Sequence, residues 1–350
     1  MITVLWSGVD TLEASYRGVL DPGFVSILQE LKQEAQLTDE PQPLEVGGYP
    51  LTVLSHGLKP YAYVCAGEDF HLRFAPRGNC PRASVRLLSL GLLSYGHQTL
   101  FDLAGHVVAS CGELSSIGLS RLDLACDFQG FEPTYEDSKR IVCAAVYRPI
   151  YPNTEHPETF YFGKGDLVVR IYNKTREATV KGKGHWFEAW AAHPGYDPER
   201  DVWRFELQLR SPILNELGRR DPETAFASLG AILGFGLEWC NLRIPSGLSS
   251  DRWPEDPVWG ELRRAVFSGD PIKRVKAASY LGALGTLLPM SAGLLVSIAA
   301  RLGIRDLDLA LDVLRSQLKD HFERKEGTFT SEVQKRQLRQ DGSQKGLQSG

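Results

Sequence analysis

A chain of 350 residues with 43% hydrophobic and 23% charged residues can bury a substantial core, which excludes a disordered or fibrous protein. The formal net charge of -4 carries no general attraction for nucleic acid, so a DNA-binding role would have to come from local arrangement. The six cysteines, Cys65, Cys80, Cys111, Cys126, Cys143 and Cys240, form no CxxC pair and read as reduced thiols of a cytoplasmic protein.

In chain order, the start carries Asp10 and Glu13 rather than a basic segment followed by an apolar one, so no secretion signal is read there. A helix is expected from Pro22 to Glu34. Short period-two strands follow at 51–56, 61–65, 70–74 and 85–90, separated by Gly, Pro and Asp. A second helix is expected from Tyr135 to Tyr147. After Ser211 helical spacing takes over, through 213–217 and 223–242. The expected fold class is α+β: a central curved antiparallel sheet with helices packed on one face, followed by a helical C-terminal region.

The loop over 244–257, rich in Pro, Ser and Asp, is the predicted boundary. It divides a catalytic domain (1–243) from a helical region (258–324) assigned to DNA recognition or oligomerisation. The tail over 325–350 is rich in Gln, Ser, Lys and Gly and is expected to be disordered. The uncharged stretch 277–300 has the length of a bilayer span. Pro289 and the glycines within it favour instead two short buried helices meeting at 288–291, with Ser291 as N-cap, and no membrane association is expected.

The chemistry concentrates in three segments of clean alternation. Leu122, Leu124, Cys126 and Phe128 form one face of the first, and Arg121, Asp123 and Asp127 the other. Val169 and Ile171 oppose Arg170, Tyr172 and Lys174 in the second. Trp203, Phe205, Leu207 and Leu209 oppose Arg204, Glu206, Gln208 and Arg210 in the third. An antiparallel sheet with one wet face produces the same pattern without any chemistry. If the three strands are neighbours, however, the polar faces merge into what a phosphodiester transesterase needs. Carboxylates suit Mg²⁺ or Mn²⁺, Arg and Lys stabilise phosphoryl charge, and a tyrosine hydroxyl supplies the nucleophile, its phenolate favoured by nearby cations and metal.

These segments resemble the replication-initiation-factor family of Gram-positive rolling-circle plasmids, which includes relaxases of conjugative elements and replication proteins of some filamentous phages. The matching words are 120–128 (SRLDLACDF), 159–163 (TFYFG), 170–174 (RIYNK) and 203–210 (WRFELQLR), with weaker landmarks at 9–12 (VDTL) and 256–259 (DPVW). The resemblance implies that Tyr172 is the nicking residue, and that Asp123, Asp127 and Glu206 hold the metal. None of the eight histidines forms the His-hydrophobe-His pair used by other nicking enzymes. The expected partners are single-stranded or cruciform origin DNA together with host helicase and polymerase, and a homodimer is left open.

Catalytic roles thus fall to Tyr172, Lys174 and Arg170, and DNA contacts to Arg121, Arg204, Arg210, Lys164, Lys181 and Lys183. Lys164 is expected in the turn leading into the tyrosine strand. The 181–185 segment (KGKGH) reads either as a phosphate-wrapping loop or as a plain solvated one. Tyr16, Tyr151 and Tyr161 are alternative nucleophiles. Trp186 and Trp190 are candidates for base stacking, while Trp203 is expected in the core. A non-catalytic DNA-binding regulator of a mobile element is the competing reading.

Overall fold

The computed structural model describes residues 2–153, 156–272, 274, 280–324 and 328–334. The chain divides into two compact units, Met1–Val275 and Lys276–Gly350. The strands of the first unit are β1 (Thr3–Leu20), β2 (Gln42–Val46), β3 (Tyr49–Val53), β4 (Tyr63–Ala66), β5 (Phe70–Phe74), β6 (Ala83–Leu87), β7 (Gly112–Gln129), β8 (Ile141–Cys143), β9 (Ile150–Asn153), β10 (His156–Lys164), β11 (Leu167–Asn173), β12 (Trp203–Arg210) and β13 (Cys240–Leu242). Its helices are α1 (Pro22–Thr38), α2 (Ser89–Tyr95), α3 (His97–Ala109), α4 (Tyr135–Arg140), α5 (Lys174–Val180), α6 (His185–Ala191), α7 (Ser211–Glu216), α8 (Pro222–Phe226), α9 (Leu229–Trp239) and α10 (Pro257–Val266). The fold is α+β, as the sequence pattern implies.

Eleven strands form one sheet in the order β2-β3-β4-β5-β6-β1-β7-β12-β11-β10-β9, and each neighbouring pair is antiparallel. The two 18-residue strands β1 and β7 run side by side through its middle, and four register shifts interrupt their pairing. Such bulges bend a strand and sharpen its twist. The apolar residues of β7, β11 and β12 named above all face one large core and are essentially inaccessible. Packed against that face are Leu28 of α1, Leu100 and Val107 of α3, Leu237 of α9 and Trp259 of α10. A smaller cluster of Leu5, Ala178, Trp186, Trp190 and Val202 stands on the opposite, polar face, where α5 and α6 cover one end of it.

Local signals place the elements. Asp21 caps α1 by accepting from the Phe24 amide at 2.8 Å, with Pro22 in the first turn. Thr134 and Asp137 make a capping box that starts α4. The helix expected to reach Tyr147 stops at Arg140, because Ile141 turns into β8 and pairs with Leu242 of β13. The span 223–242 likewise breaks into α8, α9 and β13. The expected boundary loop at 244–257 is present, but α10 beyond it belongs to the first unit: Trp259 is fully buried against Phe205, ring centroids 5.8 Å apart.

The second unit holds α11 (Tyr280–Leu302) and α12 (Leu307–Arg324). Instead of two short buried helices, α11 is continuous through Pro289, and its described side chains from Ser291 to Ala300 are exposed or half-buried. Gly303 in the left-handed region ends it, with the Ile304 amide bonded back to the Ala299 carbonyl at 2.9 Å. No helix among the described residues is long and apolar enough to cross a membrane. Of the tail expected to be disordered, 325–327 and 335–350 lie outside the described residues, and 329–334 are helical.

Candidate functional site

The three polar faces do merge. Across the sheet Arg170 stands opposite Glu206, Tyr172 opposite Arg204, Arg204 opposite Asp127, and Gln208 opposite Asp123. Directly opposite residues share a face, so β7, β12 and β11 present one continuous polar surface. A cavity of about 440 Å³ opens on it, lined among others by Asp10, Arg86, Arg121, Asp123, Arg170, Tyr172, Lys174, Glu177, Lys181, Lys183 and Glu206.

At its centre the Tyr172 hydroxyl donates to Glu206 Oε2 at 2.9 Å. Arg170 donates to Glu206 Oε1 at 2.5 Å and to Gln208 Oε1 at 2.6 Å. Arg121 grips both oxygens of Asp123, at 2.9 and 2.5 Å. Burial, and then the charge of Glu206, push the Tyr172 hydroxyl well above its ordinary range against the pull of Arg204. The cations expected to favour the phenolate do not prevail on their own: the hydroxyl proton points at the Glu206 carboxylate. Burial also pushes Asp123 up, to about 7, with Arg121 opposing and Glu206 adding to the rise.

The other end of the surface is closed. Asp127 and Arg204 are completely inaccessible. Arg204 grips Asp127 at 2.5 and 2.8 Å, the Trp190 indole donates to the same carboxylate at 2.9 Å, and a third arm of Arg204 reaches Asp10 at 2.6 Å. The Arg204 guanidinium lies 4.1 Å from the Trp186 ring centroid and 5.2 Å from that of Trp6. A guanidinium so enclosed cannot meet a DNA phosphate, and a carboxylate so saturated cannot take a metal. Arg204 is therefore not a DNA contact and Asp127 not a metal ligand as expected, and Trp186 and Trp190, wholly buried, are out of reach of a base.

The lysines form a second group. Lys174 does not flank Tyr172 on the strand but opens α5, after Asn173 caps the helix by accepting from the Arg176 amide. It is nearly inaccessible, bonded to Glu177 at 2.7 Å, and 5.6 Å from the Tyr172 ring centroid. Lys181 and Lys183 converge on the other oxygen of Glu177 at 2.9 and 3.0 Å. Although burial opposes it, this triple contact holds Glu177 down to about 2. Lys164 lies at the two-residue turn between β10 and β11, exposed; Arg210 is exposed at the end of β12. Neither lines the cavity.

Among the described residues no group of three His, Cys, Asp or Glu is arranged to hold a metal ion, so the expected three-carboxylate site is not assembled. Two of its members, Asp123 and Glu206, do line the cavity. Each is held by arginine, yet a carboxylate keeps about four acceptor positions, and two carboxylates lining one cavity are hard oxygen donors of the kind a divalent cation takes. Mg²⁺ commonly takes one or two carboxylates and completes its shell with water and substrate phosphate. These two donors fit such an ion; Asp127 does not.

Asp10 was not among the expected site residues. Its carboxylate lines the cavity because a register shift between Val9 and Thr11 puts an extra residue on the polar side. The signal was present: Val9 and Leu12 are both core residues, and an odd spacing between two core positions of one strand requires a bulge.

No protein-family model matches the chain, and no curated protein does. Among solved structures, the rolling circle replication initiator protein from Geobacillus stearothermophilus is similar: 18% identical, covering 76% of this chain and 97% of that one, with a TM-score of 0.46.

Proposed function

We propose that the chain nicks and rejoins one DNA strand by tyrosine transesterification, as a rolling-circle initiator or relaxase does. The observation that carries this reading is the Tyr172 hydroxyl donating to Glu206 at 2.9 Å, inside a cavity ringed by Arg86, Arg121, Arg170, Lys181 and Lys183. A nucleophile within hydrogen-bond reach of a base, beside cations that suit a phosphate, is the constellation covalent phosphoryl transfer requires. The four sequence words that resemble the replication-initiation-factor family converge on the same residues.

In this mechanism the Tyr172 oxygen attacks phosphorus as its proton passes to Glu206. The bond to the 3′ oxygen breaks, leaving a 5′-phosphotyrosine and a 3′ end that takes up a proton to become a hydroxyl. Rejoining is the reverse, so no nucleotide cofactor enters. Arg170 and Arg121 meet the charge growing on the phosphoryl oxygens, while the buried Asp127–Arg204 pair flanks Tyr172 in the same cross-strand row. Asp123 and Glu206 are the residues that would hold Mg²⁺ or Mn²⁺, which when bound would polarise the phosphoryl group as a Lewis acid. The DNA is single-stranded or cruciform at an origin, with host helicase and polymerase acting on the freed 3′ end.

Labelled single-stranded DNA from the element's own origin, incubated with protein and Mg²⁺ or Mn²⁺, is expected to give a denaturant-resistant adduct mapping by mass spectrometry to the Tyr172 peptide. Tyr172→Phe should abolish it with DNA binding retained, since affinity comes mainly from phosphate contacts. An adduct on Tyr16, Tyr151 or Tyr161 would move the nucleophile. Sequence-specific binding with no adduct would identify a non-catalytic regulator.

A further inference from the structure

We infer that Tyr147, Tyr151 and Tyr161, at the β9–β10 edge of the sheet, form a stacking platform for the unpaired DNA strand leading into the Tyr172 cavity; the identity of this ligand rests on the reading above.

Register places the platform. Tyr151 stands opposite Thr159, and Thr159 stands opposite Tyr172. One row away, Tyr161 stands opposite Arg170. Because opposite residues share a face, Tyr151 and Tyr161 project from the same side of the sheet as the proposed nucleophile. The rings are also linked: the Tyr161 ring carries the Arg170 guanidinium at 5.3 Å, and Tyr147 meets Tyr161 edge-on at 6.4 Å. The Tyr151 and Tyr147 hydroxyls are hydrogen-bonded. A path of aromatic faces thus runs from the edge strand through Arg170 to Glu206 and Tyr172.

These rings are not core residues. Tyr147 is 46% and Tyr151 52% exposed, and neighbouring Val146 is fully exposed. Exposed aromatic area next to cations is what single-strand binders use, because each base offers a ring face once it is unpaired. The charge is complementary. Arg148 gives its hydrogen bonds to the carbonyl oxygens of Ile141, Cys143 and Ala145, so those bonds leave its positive charge unneutralised. A duplex, whose ring faces are already stacked, has nothing to offer these tyrosines, which argues for an unpaired strand.

The test uses the full chain in chelator, so that binding is read without cleavage. A fluorescent mixed-sequence single strand of about 15 nucleotides is titrated against wild type, the Tyr147→Ala/Tyr151→Ala double variant and the corresponding double Phe variant. The alanine variant is expected to bind about tenfold more weakly and the phenylalanine variant within about twofold of wild type, since stacking needs the ring and not the hydroxyl. Affinity for the matching duplex should be unchanged. In an independent arm, wild type irradiated with an oligonucleotide carrying 5-iodouracil should crosslink at the peptide containing Tyr147 and Tyr151. Wild-type affinity in the alanine variant, an equal loss in both variants, or crosslinks elsewhere would overturn the platform. Platform binding without any covalent adduct would remove the cleavage reading and leave the platform; an adduct formed equally well by the alanine variant would do the reverse.

Discussion

Asp123 and Asp127 stand four residues apart on β7, face the same side of the sheet and are both buried, at 1% and 0% exposed, yet their arginine partners differ: Arg204 is sealed and Arg121 is not. Asp127 is roofed by α6, with Trp190 donating to it and Arg204 clamped on both its oxygens. Asp123 lines an open cavity beside an arginine that stays 16% exposed. The difference comes from the cover and not from the strand. Trp186 and Trp190 of α6, with Leu5 and Val202, seal one end of a polar face whose other end stays open. The charged pair under that seal is cut off from solvent, whereas the cations and carboxylates beyond it line the cavity.

The largest effect on stability should appear at the sealed end. Asp127→Ala leaves the Arg204 charge buried with only Asp10 to meet it, and breaking a buried pair this way costs about 3–5 kcal/mol. Asp123→Asn should cost less in the same urea titration, because Arg121 can turn toward water. Equal losses from the two substitutions would erase the distinction between the ends.

A smaller effect is expected from Glu177, whose carboxyl is held down to about 2 by Lys174, Lys181 and Lys183. A depressed carboxyl stabilises the fold above its unfolded value of roughly 4.3, and that stability is lost as pH falls toward 2. Thermal melts of Glu177→Gln should therefore show a flatter acid limb between those values, with nearly unchanged slope above pH 5. An unaltered limb would mean that the lysine cluster does not depend on this carboxylate.

The smallest effect belongs outside the cavity. Lys164→Ala, on an exposed turn, should change stability by less than about 0.5 kcal/mol. If Lys164 touches DNA, the substitution should lower the salt dependence of single-strand binding by about one counterion. A marked loss of adduct formation at low salt would instead bring Lys164 into the site and sharpen its limits.

The sequence by itself determined which residues share a face. Period-two alternation in β7, β11 and β12 follows from the pleat, so the core sides and the polar placement of Tyr172, Arg170, Asp123 and Glu206 were legible before any coordinates. Even the bulge that brings Asp10 into the cavity is written in the odd spacing of Val9 and Leu12. The end of α4 and the start of α5 were less legible. Ile141 is drawn into β8 by a partner a hundred residues away in sequence, and Lys174 follows a cap that looks like a continuing strand. Only the tertiary structure decided what covers the polar face. Burial of Arg204 and Asp127 depends on α5 and α6 folding back across β12, a long-range packing event that no local pattern encodes. The upward shift of the Tyr172 hydroxyl was decided in the same way: desolvation by packed neighbours and the Glu206 carboxylate outweigh the pull of Arg204.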